Sequence, residues 1–265
     1  MDIKKFMAIE GEKPLDHLVS DGGFCKIFRT IACIGDSLSS GELETTCLQA
    51  GKGYHDFYEY SWGQYMAREA GIEVYNFSRG GMTAKEYCTT FADLKGFWDE
   101  DKLCQAYILA LGVNDVINQG QELGSISDIN LENKYANAPT FAGYYARIIQ
   151  IMKTKQPKAK FFLMTMPKDA NEENNKKKEA HAKLLYEMAD LFDNTYVIDL
   201  FQYAPVCDDE FRRNFYLGGH MNPAGYALAA KIIMSYIDYL VRHNPEEFKQ
   251  VGFIGKPYYN HNEPW

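Results

Sequence analysis

The chain of 265 residues has no excess of positive charge: Lys and Arg number 28 against 36 Asp and Glu, giving a net charge of −8. That balance argues against nucleic acid or an anionic membrane surface as the main partner. Its one basic run, Lys176-Lys177-Lys178, follows Glu172, Glu173 and two Asn, and reads as the solvated start of a helix. No stretch approaches the ~18 consecutive apolar residues of a membrane span. Met1 to Leu18 is polar and charged, without the apolar segment of a secretory signal. Both absences predict a cytoplasmic protein. The six cysteines, Cys25, Cys33, Cys47, Cys88, Cys104 and Cys207, form no CxxC pair and no Cys/His cluster with zinc spacing. Reduced thiols and no metal are expected. There is no linker rich in Pro, Gly or Ser, no low-complexity tract and no internal repeat, so the length fits one large domain.

What is present is the material of a large α/β core. Hydrophobic residues make up 46% of the chain, enough to bury a substantial interior without disulfides or metals. Aromatics reach 14%, with 19 Tyr, and such side chains fill cores and line clefts. Near-continuous apolar runs predict buried parallel strands at Phe28–Ile34, Glu73–Phe77, Ala106–Leu111, Lys160–Met166 and Tyr196–Phe201. Helical patterns fall between them. Ser61 with Gln64 resembles a capping box opening a helix to about Ala70, and Thr83 with Glu86 resembles another. Phe141–Thr154 and Lys178–Phe192 have helical periodicity. Asn222 and Pro223 mark the N-cap and first turn of a last helix carrying Leu228, Ile232, Tyr236, Ile237 and Leu240. Two stretches, Leu38–Tyr60 and Val116–Thr140, are long for loops, and either could wall a site.

Ligands of open parallel sheets bind beyond the carboxyl ends of the strands, so the residues that follow each strand carry the functional question. They are Gly35-Asp36-Ser37-Leu38 after the first, Asn76 to Thr83 with Gly80-Gly81 after the second, and Gly112-Val113-Asn114-Asp115 after the third. After the fifth, just before the last helix, comes Gly218-Gly219-His220-Met221-Asn222-Pro223. A serine, a glycine pair, an asparagine and a histidine on one rim are the parts acyl transfer needs: nucleophile, oxyanion donors and base. Each has a plainer alternative when taken singly. Ser37 could be an N-cap, Asn114 a turn residue, His220 a partly buried polar residue, and Gly80 and Gly81 turn glycines.

Taken together, the four segments resemble the blocks of the SGNH/GDSL hydrolase family, in the family's chain order, over about Ile31 to Ala230. Gly35-Asp36-Ser37-Leu38 is the GDSL motif. Gly81 matches the glycine block, Gly112-x-Asn114-Asp115 the GxND block, and His220 with Asn222, Pro223 and Gly225 the C-terminal block. The GxSxG elbow of ordinary α/β-hydrolases is absent. The resemblance implies a flavodoxin-like three-layer α/β/α sandwich with a five-stranded parallel sheet ordered 2-1-3-4-5. The domain would span 28–243, with an N-terminal extension (1–27) and a C-terminal tail (244–265) packed on it. It implies a serine esterase without cofactor: Ser37 as nucleophile, His220 as base, and an oxyanion hole from the Ser37 and Gly81 N–H groups and the Asn114 amide. Asp36 and Asp115 would be supporting residues. A small-molecule ester is the expected partner, with a short acyl group, such as acetyl on a carbohydrate; lysophospholipids and thioesters lie within the family's range.

One position departs from the pattern. The family has Asp three residues before the histidine, where this chain has Leu217. The carbonyl of Leu217 or a neighbour could orient His220. A carboxylate from elsewhere, such as Asp208, Asp209 or Glu210, could replace the Asp. Or the site could bind without catalysis, leaving a ligand-binding module. A nucleotide- or flavin-binding protein is suggested by fold alone, and no GxGxxG fingerprint supports it.

Overall fold

Strand β1 (Thr30–Gly35) shows why the sheet is buried on both faces. Its side chains alternate, so Ile31 and Cys33 enter one hydrophobic cluster while Ala32 and Ile34 enter another on the opposite face. β2 (Glu42–Cys47) and β3 (Gly51–Asp56) form a separate antiparallel hairpin. β4 (Glu73–Asn76), β5 (Ala106–Ala110), β6 (Lys160–Met164) and β7 (Thr195–Ile198) complete the parallel sheet, in the order β4-β1-β5-β6-β7. Counting only its own members in chain order, that is 2-1-3-4-5, as expected. The register is set by Ile31 opposite Val74 on one side and Ala106 on the other. This computed structural model describes Lys4–Trp265, so Met1–Ile3 of the expected N-terminal extension lie outside the described residues.

Helices cover both faces. On one side lie α2 (Trp62–Ala70) and, at the end of the chain, the long helix Pro223–His243. Trp62, Met66, Tyr226, Ile233 and Ile237 meet Ile31, Cys33 and Ile108 there. On the other lie α3 (Phe141–Lys155), α4 (Glu172–Leu191) and the helical segment 84–95, through Tyr87, Tyr145, Ile149, Leu185 and Met188. We label the one-turn helix Ser37–Ser40 α1, Asp209–Phe215 α5 and Pro223–His243 α6. Among the described residues α6 alone has the length and apolarity to cross a membrane, and its buried face is the sheet-packing face just named. The caps read from sequence form: Ser61 Oγ accepts from Gln64 N, Thr83 Oγ1 from Glu86 N, and Asn222 Oδ1 from Gly225 N. In the tail, Phe248, Val251 and Ile254 are buried against the α6 face, whereas Tyr258 and Tyr259 are exposed.

Three expectations are corrected. The stretch Leu38–Tyr60 is not a loop but α1 followed by the β2–β3 hairpin. The fifth strand stops at Ile198, because Asp199 caps a short helix, Leu200–Tyr203, accepting from Gln202 N. Helix α4 begins at Glu172, where Asn171 caps the N–H groups of Glu173 and Asn174. Lys178 therefore falls inside the helix, buried, with Nζ donating to the Pro167 carbonyl and to Asp169 at 2.8 Å each. The basic run is not uniformly solvated.

His181, one turn on, is fully buried against the Phe141 ring, and neither ring nitrogen has a hydrogen-bond partner. Burial favours the neutral ring and pushes its pKa from 6.5 down to about 4. Between those values the unfolded chain binds the proton and the folded chain does not, so stability falls as the pH is lowered through that window. The difference is worth on the order of 3 kcal/mol. Wild type minus His181→Gln unfolding free energy, from urea denaturation, should shrink by about that much between pH 7 and pH 4. Asp36 and Asp115 are present in both proteins and cancel. Parallel pH profiles would show that His181 does not titrate as its burial requires.

Candidate active site

The carboxyl edge of the sheet brings the four sequence blocks together. The chain leaves β1 at Asp36, whose side chain caps α1 by accepting from the Leu38 N–H at 3.1 Å. Ser37 thus becomes the first residue of α1, at the end of the sheet's second strand in space. Asp36 is almost wholly buried, and burial raises its pKa to about 7. Its second oxygen faces the Asn114 amide at 3.5 Å, which ties the block after β1 to the block after β5. The Asn114 Nδ2 also donates to the Met82 carbonyl at 3.2 Å, next to Gly81, and its Oδ1 accepts from Asn118. Asp115 links the same segments from below: its Oδ1 accepts from the Ala84 N–H at 2.8 Å. It too is buried, with a pKa raised by that burial to about 6. Asp36 and Asp115 thus hold backbone and Asn114 in place.

Gly81 adopts φ +72°, in the left-handed region where only glycine sits without strain. A Cβ built there would meet nothing within 4 Å. The backbone conformation, and not crowding by neighbouring protein atoms, explains the glycine, and the space beside it is open.

His220 lies in a two-residue ladder, β8 (Tyr216–Leu217) with β9 (His220–Met221), just before α6. β9 contacts both α1 and β2. Tyr226 of α6 braces this corner, its hydroxyl donating to the Glu42 carbonyl at 2.7 Å and lying 3.5 Å from the Ser37 carbonyl. The imidazole sits between two carboxylates that the sequence reading did not include. Nε2 is 3.0 Å from Glu42 Oε1, and Nδ1 is 3.6 Å from Glu44 Oε2. Residues 42 and 44 alternate with 43 on β2, so both acids project from one face of the hairpin onto the ring. Tyr54 of β3 adds its ring edge-on at 5.6 Å. Among the described residues no hydrogen bond joins Ser37 to His220. The nearest acidic oxygen to Nε2 is that of Glu42. The Glu42 carboxylate also fills the space beside Gly80, where a Cβ would come within 2.3 Å of Oε2.

The carboxylates proposed from sequence are elsewhere. Asp208 caps α5, accepting from the Phe211 N–H, and Asp209 and Glu210 are exposed on its first turn. Leu217 is half exposed, and its carbonyl does not accept from the ring: Nδ1 is buried without a hydrogen-bond partner. None of the three acids forms an ion pair with His220 among the described residues. All six cysteines are free thiols, five of them buried. No cluster of three or more His, Cys, Asp or Glu able to hold a metal occurs among the described residues.

The model of the GDSL-like lipase/acylhydrolase family matches residues 33–228, from β1 into α6. The chain belongs to that family. It is therefore an ester-hydrolysing enzyme, and the Ser37 and His220 blocks both fall inside the matched span. Comparison of this hydrolase with curated proteins finds no match. Solved structures share its fold. A family two carbohydrate esterase from Clostridium thermocellum, in complex with cellohexaose, superposes with a TM-score of 0.57 at 16% identity, covering 80% of this chain and 64% of that one. A family 3 carbohydrate esterase from Clostridium thermocellum gives 0.51 at 18%, covering 81% and 97%. The acetyl xylan esterase AlAXEase gives 0.51 at 18%, covering 78% and 99%.

A cavity of about 270 Å³ lies next to the site, walled by Leu38, Met164, Phe211, Met221 and Ile232 among others. Its walls include the neighbours of Ser37 and His220 but not those two residues, nor Gly81 or Asn114. In this hydrolase the cavity flanks the site and opens to the surface at Pro205, Arg212 and Gly219, all exposed.

Proposed function

We propose that this hydrolase cleaves short-acyl carboxylic esters, acetyl groups on carbohydrates above all, through an acyl-Ser37 intermediate with His220 as general base. The convergence of Asp36, Asn114 and Met82 carries the reading, since it gathers nucleophile, amide donor and glycine turn at one edge of the sheet. The Ser37 hydroxyl would add to the ester carbonyl carbon as its proton passes to His220 Nε2. The carbonyl electron pair would move onto oxygen, facing the Ser37 and Gly81 N–H groups and the Asn114 amide. Collapse would expel the alcohol, which takes the proton from Nε2. Water would then repeat the sequence on the acyl-serine and release the acid. For this His220 must exchange Glu42 for Ser37 when the ester binds.

Two observations support a short acyl group and a sugar alcohol. The apolar cavity that could hold a long acyl chain does not count Ser37, Gly81 or Asn114 among its walls. Tyr54, half exposed beside His220, offers a ring on which the C–H face of a sugar can pack. The solved structures described as carbohydrate and acetyl xylan esterases fit the same reading. The test combines labelling and substrate profile. A fluorophosphonate should modify Ser37, located by peptide mass spectrometry. Hydrolysis of p-nitrophenyl esters should fall by about tenfold or more from acetate to octanoate, and acetylated xylan should release acetate. A protein that neither labels at Ser37 nor hydrolyses acetate esters would sink the proposal. A profile rising toward octanoate would remove the short-acyl part of it.

A further inference from the structure

Position 217, where the resemblance places an aspartate, holds a half-exposed leucine, yet the imidazole Nδ1 of His220 is buried and has no hydrogen-bond partner. An imidazolium formed during acyl transfer would be stabilised by a carboxylate at that nitrogen. The nearest one comes from the hairpin, about 175 residues earlier in the chain. Glu44 Oε2 lies 3.6 Å from Nδ1, and the same oxygen accepts the Gly219 N–H at 2.7 Å. Its side chain is 4% exposed.

The loop that carries His220 is shaped around this carboxylate. Gly218 has φ +65°, and a Cβ there would lie 2.3 Å from Glu44 Oε1 and 2.7 Å from Oε2. A Cβ on Gly219 would lie 3.2 Å from Oε2. Two successive glycines let the backbone close over the acid, and the Gly219 N–H then anchors it one residue from His220. Lys52 of β3 pairs with the other oxygen at 2.8 Å and, together with the Gly219 N–H, lowers the Glu44 pKa to about 2. The carboxylate is therefore ionised throughout the pH range in which a histidine base works.

We propose that Glu44, reaching across from the β2–β3 hairpin, is the positioning carboxylate of His220, in the role the absent aspartate at 217 would have filled. The inference rests on the Ser37–His220 reading above. At 3.6 Å the pair is an ion-pair contact longer than a hydrogen bond, and a small rotation of the ring or the carboxylate closes it. During the reaction the Nδ1 proton stays on Nδ1 and donates to Glu44, while Nε2 receives the Ser37 proton and later delivers it to the alcohol. No proton passes to Glu44 itself.

Glu44→Gln tests the assignment. The amide oxygen can still accept the Gly219 N–H, so the loop anchor is kept while the charge and the Lys52 pair are lost. On p-nitrophenyl acetate, kcat should fall by about 10²–10⁴-fold with KM changed by less than about threefold. Glu44→Asp should recover part of the loss. In protein labelled with ¹⁵N-histidine, Glu44→Gln should move the His220 Nδ1 resonance, whereas Glu42→Gln should act on Nε2. A kcat within twofold of wild type overturns the proposal. So does a lowered kcat with an unmoved Nδ1 resonance, which would mean that Glu44 only supports the loop. If wild type is no faster than Ser37→Ala, the esterase reading fails instead. The Nδ1 resonance then decides by itself whether Glu44 holds the ring.

Discussion

Ser37→Ala and His220→Ala should each abolish nearly all turnover of p-nitrophenyl acetate, lowering kcat by on the order of 10⁴–10⁶-fold toward the uncatalysed background. A loss of 10⁴ corresponds to about 5.5 kcal/mol of transition-state stabilisation, more than any binding contact at this site could account for. The double variant should be no slower than either single one. A serine without its base and a base without its serine fail for the same reason, so their effects do not add. KM should change little, because neither group is asked to hold the ground-state ester. The fold is not at stake in either change. Ser37 is half-buried at a helix start capped by Asp36, and the loop carrying His220 is anchored through Gly219 and the β8–β9 ladder. Unaltered thermal midpoints would confirm this. If His220→Ala kept more than about a tenth of wild-type kcat, the base would lie elsewhere. Glu42, the carboxylate nearest to Nε2, would be the first residue to examine.

The difference between what could be read from sequence and what could not follows the hydrophobic signal. β1, β5 and β6 are buried on both faces, so each is a bounded apolar run, and the helices between them announce their ends with Ser61, Thr83 and Asn222 caps. Ser37, Gly81, Asn114 and His220 are legible as candidates because they flank such elements and match the family's blocks. The β2–β3 hairpin was not. Its strands are Glu-Leu-Glu-Thr-Thr-Cys and Gly-Lys-Gly-Tyr-His-Asp, and almost every side chain is at least partly exposed. With no buried face there is no period-2 apolar alternation, and a polar two-stranded ribbon looks like a loop. The only trace is the Glu42-x-Glu44 spacing ahead of the β-branched pair Thr45-Thr46, which puts two acids on one face if the segment is extended. What those acids meet is a contact across most of the chain, which no local pattern encodes. Lys178 was misplaced for a related reason: its neighbours are charged, but the Pro167 carbonyl and Asp169 come from the preceding loop and bury it.

Asn114→Ala should produce the largest purely electrostatic effect, a fall in kcat of about 10²–10³-fold with KM nearly constant. The argument is geometric. The amide nitrogen carries two protons. One is committed to the Met82 carbonyl at 3.2 Å, which fixes the side chain next to the Gly81 turn. The other has only a long contact, 3.5 Å to Asp36, so it remains available to the negatively charged oxygen formed when Ser37 adds to the ester carbonyl. A donor already held in position costs no reorganisation when the charge appears, and its benefit is absent in the ground state. The change also removes the tie between Met82 and the segment after β5, so stability is measured alongside. The cost should be about 1 kcal/mol for one lost hydrogen bond, visible as a small fall in thermal midpoint. A variant that folds, binds ester with unchanged KM and turns over at the wild-type rate would show that Asn114 braces Met82 and contributes no donor to the reaction. A loss confined to KM would instead place its amide on the ground-state substrate.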